Sequence, residues 1–85
     1  MTKDDLCEFV VKALRSKGGN ARIVDICKYI WEHHENDLRR SGDLFYTWQY
    51  DIRWAGQKLR DQGVLAPANN SRGAPWELKN AGGKT

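Results

Sequence analysis

Gln49, Arg53 and Gln57 recur at every fourth position in the stretch from Asp43 to Gln62. Arg and Gln are the side chains that can meet the edge of a base with two hydrogen bonds at once. On a helix they would form one row, spaced about 6 Å apart at a rise of about 1.5 Å per residue, comparable to two base-pair steps. Tyr46 and Tyr50 flank that row, where a hydroxyl could reach a phosphate or a ring could pack on a thymine methyl. Arg60 falls on the same side. Solvation of a helix face is met by Lys and Glu, so aromatic, amide and guanidinium groups together predict a face that touches a partner. Double-stranded DNA is the partner this chemistry fits first. Tyr and Arg also anchor protein interfaces, so a protein-protein or dimerisation surface, with a second copy or a separate effector protein, is the alternative.

The elements that must hold this row are legible in the apolar spacing. Phe45, Trp48, Ile52, Ala55 and Leu59 fall on the opposite side of the same helix and predict its buried face. Asp43 is expected to cap the first turn, and Gly63 to end the last one in a left-handed conformation. Asp51 falls at the edge of the core face, where it is expected to pair with a base from another helix, and Asp61 lies at the far end. Val64-Leu65-Ala66, the polar link Asn69-Asn70-Ser71-Arg72-Gly73 and Pro75-Trp76-Glu77-Leu78 then read as strand, turn and strand. Upstream, Leu6, Phe9, Val10, Ala13 and Leu14 predict a first helix over Lys3 to Lys17, which Gly18-Gly19 breaks. Asn20-Ala21-Arg22 reads as one short strand. Ile23, Ile26, Cys27, Ile30 and His34 share a face of a second helix, Ile23 to Glu35, with Val24 and Trp31 at its edge. Asn36 to Gly42 reads as a linker or a ragged extra turn, anchored at most by Leu38.

These elements predict a mostly helical α+β fold, a winged helix-turn-helix of three helices with a small two- or three-stranded β-wing. The 85 residues suffice for one domain, spanning the whole chain, with residues 1–2 and 80–85 as frayed tails. Nine aromatic residues among a 40% hydrophobic composition concentrate burial in large side chains, so a single core is feasible. Trp54 is expected to be buried against the wing or the first helix, and Trp76 to cover the open end of the core.

The net charge of +3, from 14 Lys and Arg against 11 Asp and Glu, permits a polyanion without demanding one. Placement matters more than the total. Arg39 and Arg40 precede the third helix, Arg72 stands at the tip of the polar link, and Lys28 points away from the core of the second helix. Phosphate contacts need cations in such flanking positions, so Arg39, Arg40 and Arg72 are the expected phosphate contacts.

Other chemistries find little support. His33 and His34 are adjacent and so project about 100° apart on a helix, and Cys7 and Cys27 form no Cys-x-x-Cys pair, so neither metal nor other cofactor is expected. With no secretory signal, both thiols are expected to be free, in the cytoplasm. No Ser or Cys stands near an evident base, and no glycine-rich loop joins a strand to a helix, so no enzyme activity is expected. No apolar run approaches the roughly 18 residues of a membrane span, which predicts a soluble chain.

From Tyr50 onward, Trp54-Ala55, Leu59, Gly63, Leu65, Gly73, Trp76 and Leu78 resemble the end of the N-terminal winged-helix domain of Mrr-type restriction endonucleases. That pattern has a Trp-Ala pair in the third helix and closes the wing with Gly-x-x-Trp-x-Leu. The layout of Gly18-Gly19, Ala21-Arg22 and Ile23-Val24-Asp25-Ile26 is similar too. The shared positions are chiefly core and turn residues, which report fold more than ligand. The resemblance implies a DNA-recognition module without its nuclease domain: a small bacterial-type regulator, or a subunit lending recognition to a separate enzyme of a restriction-like system. Tyr46, Trp48, Gln49 and Tyr50 make this helix richer in aromatics than the family leads one to expect, which implies a different target.

Overall fold

A computed structural model of the chain describes residues 3–67 and 75–79. The tip of the polar link, with Arg72, and the terminal residues 1–2 and 80–85 lie outside the described residues. Three helices and a two-stranded antiparallel sheet make up the rest, a small, mostly helical α+β architecture.

Helix α1, Lys3–Ser16, begins with Asp4 and Asp5 in its first turn and ends near Arg15, charges that complement the helix dipole. Leu6, Val10, Ala13 and Leu14 form its buried stripe. The chain leaves α1 through Gly18 and Gly19, with φ of 84° and 105°. Their amides donate back to the carbonyls of Arg15 and Leu14, which satisfies two of the helix's last acceptors. Strand β1, Asn20–Ala21, follows at once.

Helix α2 runs Ile23–Arg39, four residues beyond the expected end at Glu35. The backbone leaves helical geometry at His34 (φ −131°, ψ 21°) and then resumes. This extra turn is not a linker: it carries Leu38 into the core, where no part of it meets solvent. One buried leucine explains the continuation, because ending at Glu35 would leave it exposed.

Helix α3, Leu44–Asp61, buries Trp48, Ile52, Ala55, Gly56 and Leu59. Asp43 is not the cap expected of it: its backbone is already helical (φ −60°, ψ −31°) and its carboxylate caps nothing. The first turn closes instead through the carbonyls of Gly42 and Asp43, which accept from the amides of Phe45 and Tyr46. The far end follows expectation. Gly63 takes φ 79°, and the amides of Gly63 and Val64 donate to the carbonyls of Arg60 and Leu59.

The sheet pairs β1 with β2, Trp76–Glu77, in the register Asn20↔Glu77 and Ala21↔Trp76. Val64-Leu65-Ala66 does not form a full strand. It contributes one antiparallel bridge, Leu65↔Leu78, flanked by bonds from the Ala66 amide to the Glu77 carbonyl and from the Lys79 amide to the Val64 carbonyl. The Leu78 amide meanwhile donates to the Gly19 carbonyl. The segment 76–78 therefore lies between the chain after α1 and the chain after α3.

The core joins Leu6, Val10 and Leu14 of α1, Ile26, Ile30 and Leu38 of α2, Ile52 and Leu59 of α3, and Leu65. Trp76 packs against this cluster from the sheet side. Trp54, expected to be buried against the wing or the first helix, is only partly buried: Nζ of Lys3, from α1, and Nζ of Lys58 sit 4.6 and 5.0 Å from the ring centroid. Lys58 also reaches Asp4 at 3.0 Å, which ties α3 to α1.

Candidate nucleic-acid interface

Burial of Trp48, Ile52, Ala55 and Leu59 fixes the rotation of α3, and with it what the helix turns to solvent. Tyr46 is 82% and Tyr50 76% exposed, and Gln49, Arg53 and Gln57 are exposed with them. The five side chains thus share one uncovered face. Arg60 does not join them. It is partly buried, its guanidinium lies 5.1 Å from the Trp76 ring, and its Nε is buried without a partner among the described residues.

Two carboxylates of α3 are engaged within the helix itself. Asp61 accepts a hydrogen bond from Nε2 of Gln57 at 3.0 Å, so the last member of the row is engaged by its own helix. Asp51 accepts from Oγ1 of Thr47 at 2.8 Å, also within α3, and not from a base on another helix.

The flanking cations divide. Nε of Arg39 donates to Oε2 of Glu35 at 2.7 Å, and its guanidinium lies 5.2 Å from the Trp31 ring and 5.8 Å from the Phe45 ring. Arg39 is therefore engaged by neighbouring side chains although it is exposed. Arg40, one residue on, is exposed.

Beside the exposed face of α3 runs a groove of about 530 Å³ between α2 and α3. Val24, Cys27, Lys28 and Trp31 form one wall, and Trp48, Gln49, Tyr50 and Arg53 the other. A second hollow of about 440 Å³ shares Trp31, Trp48 and Gln49 with it and extends to Phe45 and Tyr46. The indoles of Trp31 and Trp48 lie parallel within 5°, with centroids 6.2 Å apart, the spacing of an offset-stacked pair. Phe45 meets Trp31 at 6.4 Å and Tyr46 edge-on at 5.1 Å, so the aromatic surface is continuous from groove to helix face. Sequence reasoning placed Val24 and Trp31 at an edge and Phe45 in the core, and did not find this groove. The signal was available: Val24, Cys27, Lys28 and Trp31 recur at three- and four-residue spacing, a second stripe beside the core stripe of α2.

Cys27 lines the groove as a free thiol. Burial pushes its pKa up, against the smaller opposing effect of the Arg53 charge, and so favours the protonated thiol. Burial does the same at Cys7. Among the described residues no three His, Cys, Asp or Glu side chains gather where a metal could bind, and no helix is long and apolar enough to cross a membrane.

Comparison with protein-family models, with curated proteins and with solved structures finds no match to this chain.

Proposed function

We propose that this chain is a winged helix-turn-helix module that binds double-stranded DNA, with α3 in the major groove. In this reading Tyr46, Gln49, Tyr50, Arg53 and Gln57 meet base edges and nearby backbone, and Arg40 and Arg72 meet phosphates. The observation that carries it is the division of α3: Trp48, Ile52, Ala55 and Leu59 of its core stripe are buried while that polar and aromatic row is uncovered. The order helix, strand, helix, helix, bridge, strand, with β1 and the chain after α3 on either side of β2, is the order expected of a winged helix. The resemblance of Trp54-Ala55, Gly63, Trp76 and Leu78 to the Mrr-type recognition domain supports the same reading.

Titration of labelled duplexes at rising salt tests it. Affinity should fall about tenfold or more between roughly 50 and 200 mM salt if several phosphates are met. Arg53→Ala should narrow the difference between preferred and random sequences. No salt-sensitive binding to any duplex in a random pool would overturn the proposal.

The continuous aromatic surface from Trp31 to Tyr46 favours one second reading, a protein interface. Sedimentation at micromolar concentration separates the two: a tight dimer that protects Tyr46 and Tyr50 supports the interface.

A further inference from the structure

Among the described residues the exposed large hydrophobic side chains are Val24, Tyr46 and Tyr50. Val24 and Tyr50 line the groove between α2 and α3, and Tyr46 lines the hollow that continues it. Exposure of large apolar groups is thus concentrated at one place on the surface. Singly exposed residues need no explanation, but three around one trough do. The trough is also charged in one sense. Lys28 and Arg53 stand on its two walls, and among the described residues no carboxylate lines it. It offers the exposed Tyr50 ring and the methyl-bearing wall of Val24 to a flat apolar group, and two cations to an anion attached to that group.

A paired duplex does not supply such a group. Its bases present edges to the grooves and hide their faces in the stack. A base that has left the stack presents a face and carries its phosphate with it. A protein partner fits less well. From Tyr46 to Arg53 the trough runs for about 10 Å of helix axis, whereas a standard protein interface engages roughly 20–30 residues on each side.

We propose that this groove takes up an unstacked nucleobase, held between Tyr50 and Val24, with its phosphate met by Lys28 and Arg53, so that the module prefers duplexes carrying an unpaired base. The inference rests on the DNA-binding reading and adds a ligand to it. Unpaired bases cost least to extrude, so a bulge or a mismatch is the substrate on which the preference is largest.

The test compares three labelled duplexes at one salt concentration: fully paired, with a single bulged adenine, and with an abasic residue at the bulge. The bulged duplex should bind about tenfold tighter than the paired one, and the abasic bulge should lose that advantage, because stacking belongs to the base and bending to the backbone. With 2-aminopurine at the bulge, its fluorescence should fall on binding. Val24→Gln, at an exposed position where folding is not at stake, should bring the ratio of bulged to paired affinity near one. Equal affinity for paired and bulged duplexes overturns the inference and leaves duplex recognition standing. An abasic bulge that binds as well as the adenine bulge overturns it in favour of flexibility alone. Binding to none of the three overturns both readings, as does a dimer that buries Tyr50.

Discussion

The indole of Trp76 lies directly on the backbone of Gly56: a Cβ at Gly56 would stand 2.6 Å from Cη2 and 2.7 Å from Cζ3 of that ring. Elsewhere in a helix, replacing Gly with Ala adds about 1 kcal/mol of stability through backbone entropy. Here the added methyl must displace a rigid ring that is itself packed on the core and flanked by Arg60. Gly56→Ala should therefore destabilise the domain by about 1–3 kcal/mol, the usual cost of overpacking. Urea denaturation followed by tryptophan fluorescence would check this. A variant as stable as the parent would show that Trp76 is not fixed there.

The hydrogen bond from Gln57 to Asp61 sets a second expectation. A carboxylate at the end of the exposed row repels phosphate and holds the Gln57 amide, which could otherwise turn outward. Asp61→Asn should raise affinity for all duplexes, about two- to fivefold at low salt and less as screening grows. Stability should change by less than about 0.5 kcal/mol, since the interaction is at the surface. Electrophoretic titration at two salt concentrations measures the first effect, and thermal melting the second.

The helices and the buried face of α3 were legible because they rest on period and on local punctuation. Trp48, Ile52, Ala55 and Leu59 repeat at helical spacing, and Gly18, Gly19 and Gly63 stand where left-handed residues end helices. What escaped was set by contacts between segments. Leu38 looked like a stray anchor in a polar run because nothing local says that the core has room for it. Asp43 has the right side chain and the wrong backbone conformation for a cap. The groove needed Trp31 of α2 beside Trp48 of α3, and the pattern of either helix alone does not bring them together. Of the outward face, Tyr46, Gln49, Tyr50, Arg53 and Gln57 are exposed as expected and Arg60 is not, and the engagement of Gln57 by Asp61 and of Arg39 by Glu35 depends on rotamers that spacing allows but does not choose.

Arg39 and Arg40 are neighbours that should behave differently. Arg39 is tied to Glu35 and covers Trp31 and Phe45. Arg39→Ala should cost about 1 kcal/mol of stability, from a surface ion pair and exposed cation–π contacts. Arg40 is exposed and makes no such side-chain contact among the described residues. Arg40→Ala should leave stability nearly unchanged and weaken all duplexes alike, lowering the slope of log affinity against log salt by about 0.9 if one phosphate contact is lost. Paired denaturation and salt titrations of both variants would separate the roles. A larger loss of slope for Arg39→Ala would reverse the assignment.

His34 stands where α2 leaves helical geometry, with its ring stacked 3.7 Å from that of Phe9 and only 16% of its side chain exposed. Burial lowers its pKa below the ordinary value of 6.5, against the Asp37 carboxylate, whose Oδ2 is 3.8 Å from Nδ1 and favours the charged form, and with smaller help from Lys12 and His33. The folded chain thus holds a proton at His34 less readily than the unfolded chain does. Above pH 6.5 both states are mostly neutral at this site and the ring costs nothing. As the pH falls below 6.5, the unfolded state takes up the proton first, and stability is lost progressively until the folded state is protonated too. The urea midpoint should therefore drop between pH 7.5 and pH 5. Because other groups also titrate over that interval, the comparison is with His34→Gln, which should be less stable at pH 7.5 for want of the Phe9 stack but should lose less on acidification. An identical pH dependence in the two proteins would show that the imidazole carries none of it.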